Sequence, residues 1–215
     1  MRTNVLLTTV GMVGVMALSY FYFHGQSRFA VHHQKMLSLI SAAKETDAAL
    51  DANLLKSRDF LLLNYDPIVR NEVEMRGICA ALKGAELRAT ALSAEGLAKK
   101  ADDYCLAVEA SIQSVEQFKS KNSILRNSLF YVQGLASESR RERKLARLQP
   151  LLEATISYYL LPNDDDRAQI TDLLAAPAGP DLEMTYRHVR TILAEKAEVN
   201  ELVKTIMDSP AQRRL

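Results

Sequence analysis

The chain has 215 residues, with 27 Lys and Arg against 26 Asp and Glu, a formal charge of +1. That balance gives no global field for nucleic acid or for a highly charged substrate. With 48% apolar and 25% charged residues the chain folds rather than staying disordered, and 8 Gly and 6 Pro give too little turn punctuation for a β fold. Ala, Leu, Glu, Lys and Arg dominate, so an all-α protein is expected.

The first element is an uncharged run of 19 residues, Val5 to Phe23. As a helix it covers roughly 28 Å, close to the thickness of a bilayer core. Arg2 precedes it, and Tyr20, Phe21, Tyr22 and Phe23 close it as an interfacial aromatic belt would. The competing reading is a cleaved signal peptide. The length of the run and the lack of a small-x-small site after it favour an uncleaved anchor, with the amino terminus inside and the chain beyond about residue 26 outside.

From Ser27 to Asn64 the apolar spacing predicts one long helix, with Met36, Leu37, Ile40, Ala43, Leu50, Leu54, Leu61 and Leu62 at helical intervals. Asn64-Tyr65-Asp66-Pro67 ends it, and Asp66 with Pro67 starts a second helix that runs to about Leu92. A turn is expected over Ser93–Gly96, and then a third long helix to Tyr131–Gly134. A fourth covers Ser139 to Leu161, with a kink or restart at Pro150. After Pro162-Asn163 come a short helix over Asp164–Ala175 and, beyond Pro177 and Pro180, a last helix over Leu182–Met207. The expected domains are an anchor at 1–26 and a helical region at 27–215, with pseudo-repeat halves near 27–92 and 93–215.

Cys79 and Cys105 are equidistant from Leu92, so a helical hairpin turning there would bring them level. A disulfide and a pair of buried free thiols both remain open. An internal repeat sets Lys56–Tyr65 (KSRDFLLLNY) against Lys119–Ser128 (KSKNSILRNS), with four identities in ten. Within each copy Ser and Asn stand seven apart, as in Ser57/Asn64 and Ser120/Asn127. Two helical turns put them on one face, and a polar stripe on a core helix needs partners or a ligand.

The stretches LLKSRDFLLLNYDPIV (54–69), FKSKNSILRNSLFYV (118–132) and ILAEKAEVNELVKTIMDSP (192–210) resemble the double all-helical ligand-binding (DAHL) sensory domain. The anchor is similar to the start of VirA-like two-component sensor histidine kinases that carry this domain. The resemblance implies an extracytoplasmic input module between two membrane helices, followed by a cytoplasmic histidine kinase or another output. The chain ends at Leu215 without a second apolar run or a kinase motif, so a fragment of a longer receptor is expected.

Lys119, Asn122 and Arg126 lie at i, i+3 and i+7 on one helical face, a cationic and amide-bearing surface suited to a carboxylate or a sugar. Arg58, Asn64, Tyr65 and Asn127 complete the candidate ligand site. A solvated face, a helix cap at Asp66 and a core role for Asn127 are the structural alternatives. The run Arg140–Arg147 reads as an exposed face, and Asp164–Asp166 as acidic residues at a helix start rather than a calcium loop. No cofactor, metal site or nucleic-acid partner is expected, and no catalytic set emerges, so an enzyme is not expected. The expected protein is thus an inner-membrane sensor input, all-α, with one amino-terminal span and a two-part bundle in the periplasm. It would act as a homodimer and bind a small ligand or a periplasmic binding protein. A membrane-tethered adaptor without signalling output is the alternative.

Overall fold

The computed structural model describes residues 2–84, 95–139, 146–176, 179 and 182–208, without the side chains of 2–10, 23–29, 95, 97 and 146. Every regular element among them is helical: α1 (Arg2–Arg58), α2 (Asp66–Leu82), α3 (Glu95–Ser139), a 3-10 turn (Ala146–Leu148), α4 (Gln149–Leu160), α5 (Asp164–Leu174) and α6 (Glu183–Met207). The expected all-α class is therefore the observed one. Of the turn expected over Ser93–Gly96, Ser93 and Ala94 fall outside the described residues, while Glu95 and Gly96 already belong to α3; most of the basic run Arg140–Arg147 also falls outside them.

The long helices bury residues at alternating steps of three and four. In α1 the buried positions include Ala43, Asp47, Leu50, Leu54 and Ser57. In α3 they include Tyr104, Val108, Ser111, Val115, Phe118, Asn122, Leu125, Leu129, Val132, Ala136, Ser139, and in α6 Thr185, Val189, Ile192, Lys196, Val199, Val203, Ile206. This is the seam of packed, nearly parallel helices, in which each inward residue sits in a hole of its neighbours. Polar residues occupy several seam positions, where they cost stability unless partnered.

The chain divides into two compact units, each discontinuous in sequence. The first joins Met1–Ala48 with Asn71–Val108. Its core includes Ala43, Met75, Ile78, Leu82, Tyr104 and Val108. Cys79 and Cys105 form a disulfide there, with Cα atoms 5.6 Å apart, tying α2 to α3. The second unit joins Ala49–Arg70 with Glu109–Ser209, and its core is built on Leu54, Phe118, Leu125, Leu152, Ile170 and Ile192. Within it α4 packs on both α5 and α6. Asn163 caps α5 by accepting from the Asp166 amide at 2.7 Å, so Asp164–Asp166 fill the first helical turn, where the dipole favours acids. Pro150 lies at the start of α4, a restart rather than a kink.

The first helix departs from the sequence reading at both ends. It starts upstream of the apolar run, at Arg2, and stops at Arg58, six residues before Asn64. Among the described residues no helix is long and apolar enough to cross a membrane. The described side chains of the apolar run are those of 11–22, and Met12, Val13, Val15, Met16, Leu18, Tyr20, Phe21 and Tyr22 are all exposed.

Candidate functional site

The site begins with how α1 ends. A helix leaves its last four carbonyls without intrahelical partners, and here each finds one. Leu55 O accepts from the Asp59 amide at 3.0 Å. Lys56 O accepts from the amides of Leu61 at 2.8 Å and Leu62 at 3.1 Å, and Ser57 O from that of Phe60 at 3.2 Å. These bonds make a Schellman cap, with Phe60 at the left-handed position. Its φ of 58° stands out among the described non-glycine residues. A bulky side chain in that region costs roughly 1–2 kcal/mol, so the surroundings must hold it. They do so with rings and with a cation. Phe60 stacks on Tyr159 of α4 at 5.5 Å and 12°, tilts against Phe130 at 6.2 Å and lies under the Arg126 guanidinium at 5.1 Å.

Side chains from the other helices complete the cap. Asn122 is fully buried in the α3 seam. Its amide donates to Ser57 O at 3.1 Å and reaches the Tyr65 hydroxyl at 3.2 Å. The Ser123 hydroxyl also bonds Tyr65, at 3.1 Å. Tyr159 donates to Arg58 O at 3.3 Å. Arg126 donates to Leu63 O at 2.6 Å and to Leu62 O at 3.2 Å, and sits over the Tyr65 ring at 5.4 Å. Two buried atoms remain without a hydrogen bond in this cluster, Asn122 Oδ1 and Arg126 Nε.

Lys196 of α6 is the group in this layer that sequence reasoning missed. Its side chain is 6% exposed, and its ammonium stands 4.2 Å from the centre of the Tyr159 ring. Burial, and then the Arg58 charge, push its pKa below the usual lysine value, while Asp59 partly offsets them. Asp59 is itself held by Arg58 in a two-pronged pair at 2.8 and 3.2 Å. No carboxylate among the described residues forms an ion pair with Lys196. A desolvated ammonium costs several kcal/mol, of which a cation–π contact returns about 2 kcal/mol. Tyr159 is pushed up to about 12, first by burial and then by Asp59. The available signal for Lys196 was its register: it falls on the three-four seam of α6, between Ile192 and Val199.

The structure thus gathers Arg58, Tyr65, Asn122 and Arg126 of the predicted residues around one helix end. Lys119 flanks the layer and pairs with Glu116 at 2.7 Å. Asn64 and Asn127 do not belong to it: both are exposed. The expected polar stripe fails for two reasons. α1 has already ended when the chain reaches Asn64, so Ser57 and Asn64 are not two turns apart on a helix. In α3 the seam passes through Asn122 and Leu125, leaving Ser120 and Asn127 on the outer face.

A second polar cluster lies nearby in the same unit. His188 stacks on Tyr131 at 4.2 Å and its Nδ1 meets the Ser128 hydroxyl at 3.1 Å. Burial, and then Arg187, lower its pKa. Tyr131 in turn meets the Thr185 hydroxyl at 3.4 Å. Among the described residues no group of His, Cys, Asp and Glu could hold a metal ion.

Among the described residues the chain is a set of long seamed helices with a buried polar layer. The family model of the DAHL domain matches residues 30–215, and the chain belongs to that family. DAHL domains are sensory, ligand-binding inputs of sensor kinases, which supports a sensor-input role here. No curated protein and no solved structure matches the chain.

Proposed function

We propose that this chain is the extracytoplasmic input region of a membrane-bound bacterial sensor of the histidine-kinase type, acting by binding rather than by catalysis. The observation that carries the proposal is the continuity of α1: one helix, Arg2–Arg58, holds the apolar run at one end and the polar cap at the other. Occupancy at the cap that favours one arrangement of the helix end then has a route along one continuous helix. Exposed Met, Val, Leu and aromatic side chains over 11–22 are a larger apolar surface than a soluble monomer leaves bare, and lipid is the simplest cover for it. The Cys79–Cys105 disulfide suits an oxidising compartment outside the inner membrane. The receptor works as a homodimer through the membrane-proximal part of α1, where Val31 and Leu37 are exposed.

The test is a fusion of alkaline phosphatase, which is active only after export, to Leu215. The expected result is an active enzyme that stays in the membrane pellet through carbonate extraction. An inactive fusion, or an active one released as a soluble protein, would overturn the topology. A Val31→Cys variant is expected to form disulfide-linked dimers in membranes, and a strictly monomeric product would remove the dimer.

A further inference from the structure

Within that sensor reading, the capped end of α1 has the chemistry of a particular kind of binding site. Three features of the layer are left incomplete by the protein itself. Lys196 brings a positive charge into a place where it is 6% exposed, and its described partner is a ring face, that of Tyr159. Asn122 is fully buried and keeps an acceptor, Oδ1, without a hydrogen bond. The rings and leucines at the cap are not fully covered: Phe130 is 52% exposed, and Leu61, Leu63, Leu160 and Leu161 are each more than 70% exposed. Tyr159 links these features, since its ring carries the Lys196 ammonium, stacks on Phe60 and reaches Arg58 O through its hydroxyl.

Buried cations in folded proteins are matched by anions or polar acceptors, because an ammonium out of water is strongly disfavoured. The carboxylate whose charge acts on Lys196, that of Asp59, is committed to Arg58. The helix end already satisfies its carbonyls without Lys196, so capping does not require this side chain. A cation buried beside aromatic and aliphatic surface, with no counterion among the described residues, is a half-made contact for a molecule with one negative group and an apolar body.

We propose that the layer formed by Lys196, Tyr159, Asn122 and Phe60 is the ligand site of this sensor, and that it takes small organic monocarboxylates with an aromatic or branched apolar body. The carboxylate lies against the Lys196 ammonium. The body covers the Phe60, Phe130 and leucine surface at the cap. A hydroxyl or N–H on the ligand donates to Asn122 Oδ1. The site lies at the strained left-handed residue, so a bound molecule acts on the helix end that α1 presents.

The test is isothermal titration of benzoate, 4-hydroxybenzoate and phenylacetate into the full chain in mild detergent, with benzamide as the neutral counterpart and glucose as a neutral sugar. Saturable binding of at least one carboxylate is expected, with benzamide at least tenfold weaker. Lys196→Met is expected to keep its helical circular dichroism and to unfold at or above the parent's midpoint, because it removes a buried charge, while losing at least tenfold in affinity. Lys196→Arg, which keeps the charge, is expected to retain most of it. Absence of binding by all three carboxylates, equal binding of benzoate and benzamide, or unchanged affinity in Lys196→Met would each overturn the proposal. Binding of glucose alone would overturn the ligand class while leaving the sensor reading intact. The phosphatase fusion tests that reading separately.

Discussion

Phe60 offers a direct test of how α1 ends, because Ala and Gly respond in opposite ways to the two possible backbones. If residues 59–64 continued the helix, Phe60→Ala would be more stable than Phe60→Gly by about 1 kcal/mol, the ordinary helix preference. At the observed φ of 58° the order reverses. A Cβ in the left-handed region costs roughly 1–2 kcal/mol, while glycine's extra freedom in the unfolded chain returns about 0.5–1 kcal/mol of that. Phe60→Gly should therefore exceed Phe60→Ala by about 0.5–1 kcal/mol, a swing of about 1.5–2 kcal/mol between the two backbones. Both variants lose the stack on Tyr159 and the contact with Phe130, so both fall below the parent by about 1–3 kcal/mol. Comparing the two with each other cancels that loss. Urea unfolding followed at 222 nm reads the difference. Hydrogen exchange at the Leu61 and Leu62 amides, which bond to Lys56 O, reads it locally. An alanine variant as stable as the glycine variant, or more so, would refute the Schellman cap and with it the geometry of the site.

Three further outcomes are expected. Asn122→Ala should lose about 1–3 kcal/mol, because it orphans the buried bonds to Ser57 O and Tyr65. Exposed Asn127→Ala should stay within about 0.5 kcal/mol of the parent; equal losses in urea titrations would show the α3 seam misplaced. Replacing Cys79 and Cys105 together by Ser should cost about 3.5 kcal/mol for a 26-residue separation, and a parent whose unfolding midpoint ignores reductant would show that the bridge is absent. The His188 pKa is lowered in the folded state, so below the unfolded value of about 6.5 the unfolded chain takes up the proton first. Stability should then fall as pH drops from 7 toward 5, and His188→Gln should flatten that slope; an unchanged slope would remove His188 as its source.

Much of the fold was legible because helix signals are local. Pro67, Asn163 and Pro162 marked real boundaries, and the predicted Leu182–Met207 differs from α6 by one residue at its start. The end of α1 was not legible, and the reason is physical. Asp59-Phe60-Leu61-Leu62-Leu63-Asn64 contains no glycine or proline, and nothing in its own propensities asks for a left-handed turn. The turn is imposed from outside by Asn122, Arg126 and Tyr159, which bond the backbone of residues 57, 58, 62 and 63 from helices far along the chain. Once the helix stops early, Leu61 leaves the apolar face expected for it and is exposed, and Asn64 loses the periodic relation to Ser57 on which the polar stripe rested.

The same logic explains why the two halves of the repeat do not share a face. A match over Lys56–Tyr65 and Lys119–Ser128 pairs Ser57 with Ser120 and Asn64 with Asn127, yet in the structure Ser57 is buried and Ser120 exposed. Which face of a helix is internal is decided by the whole seam, not by ten residues of it. Traced over its full length, the three-four pattern of α3 passes through Asn122, and that of α6 passes through Lys196. A polar residue on such a seam is costly wherever it is not partnered. Asn122 is accounted for on its amide side by Ser57 O and Tyr65. Lys196 has an aromatic face and no counterion among the described residues. Its cost is greatest while it stays charged, so the folded protein should gain stability as pH rises toward the unfolded lysine value of about 10.5, where the proton is given up. A charge buried there at a cost to the fold points to what Lys196 binds rather than to what it packs against.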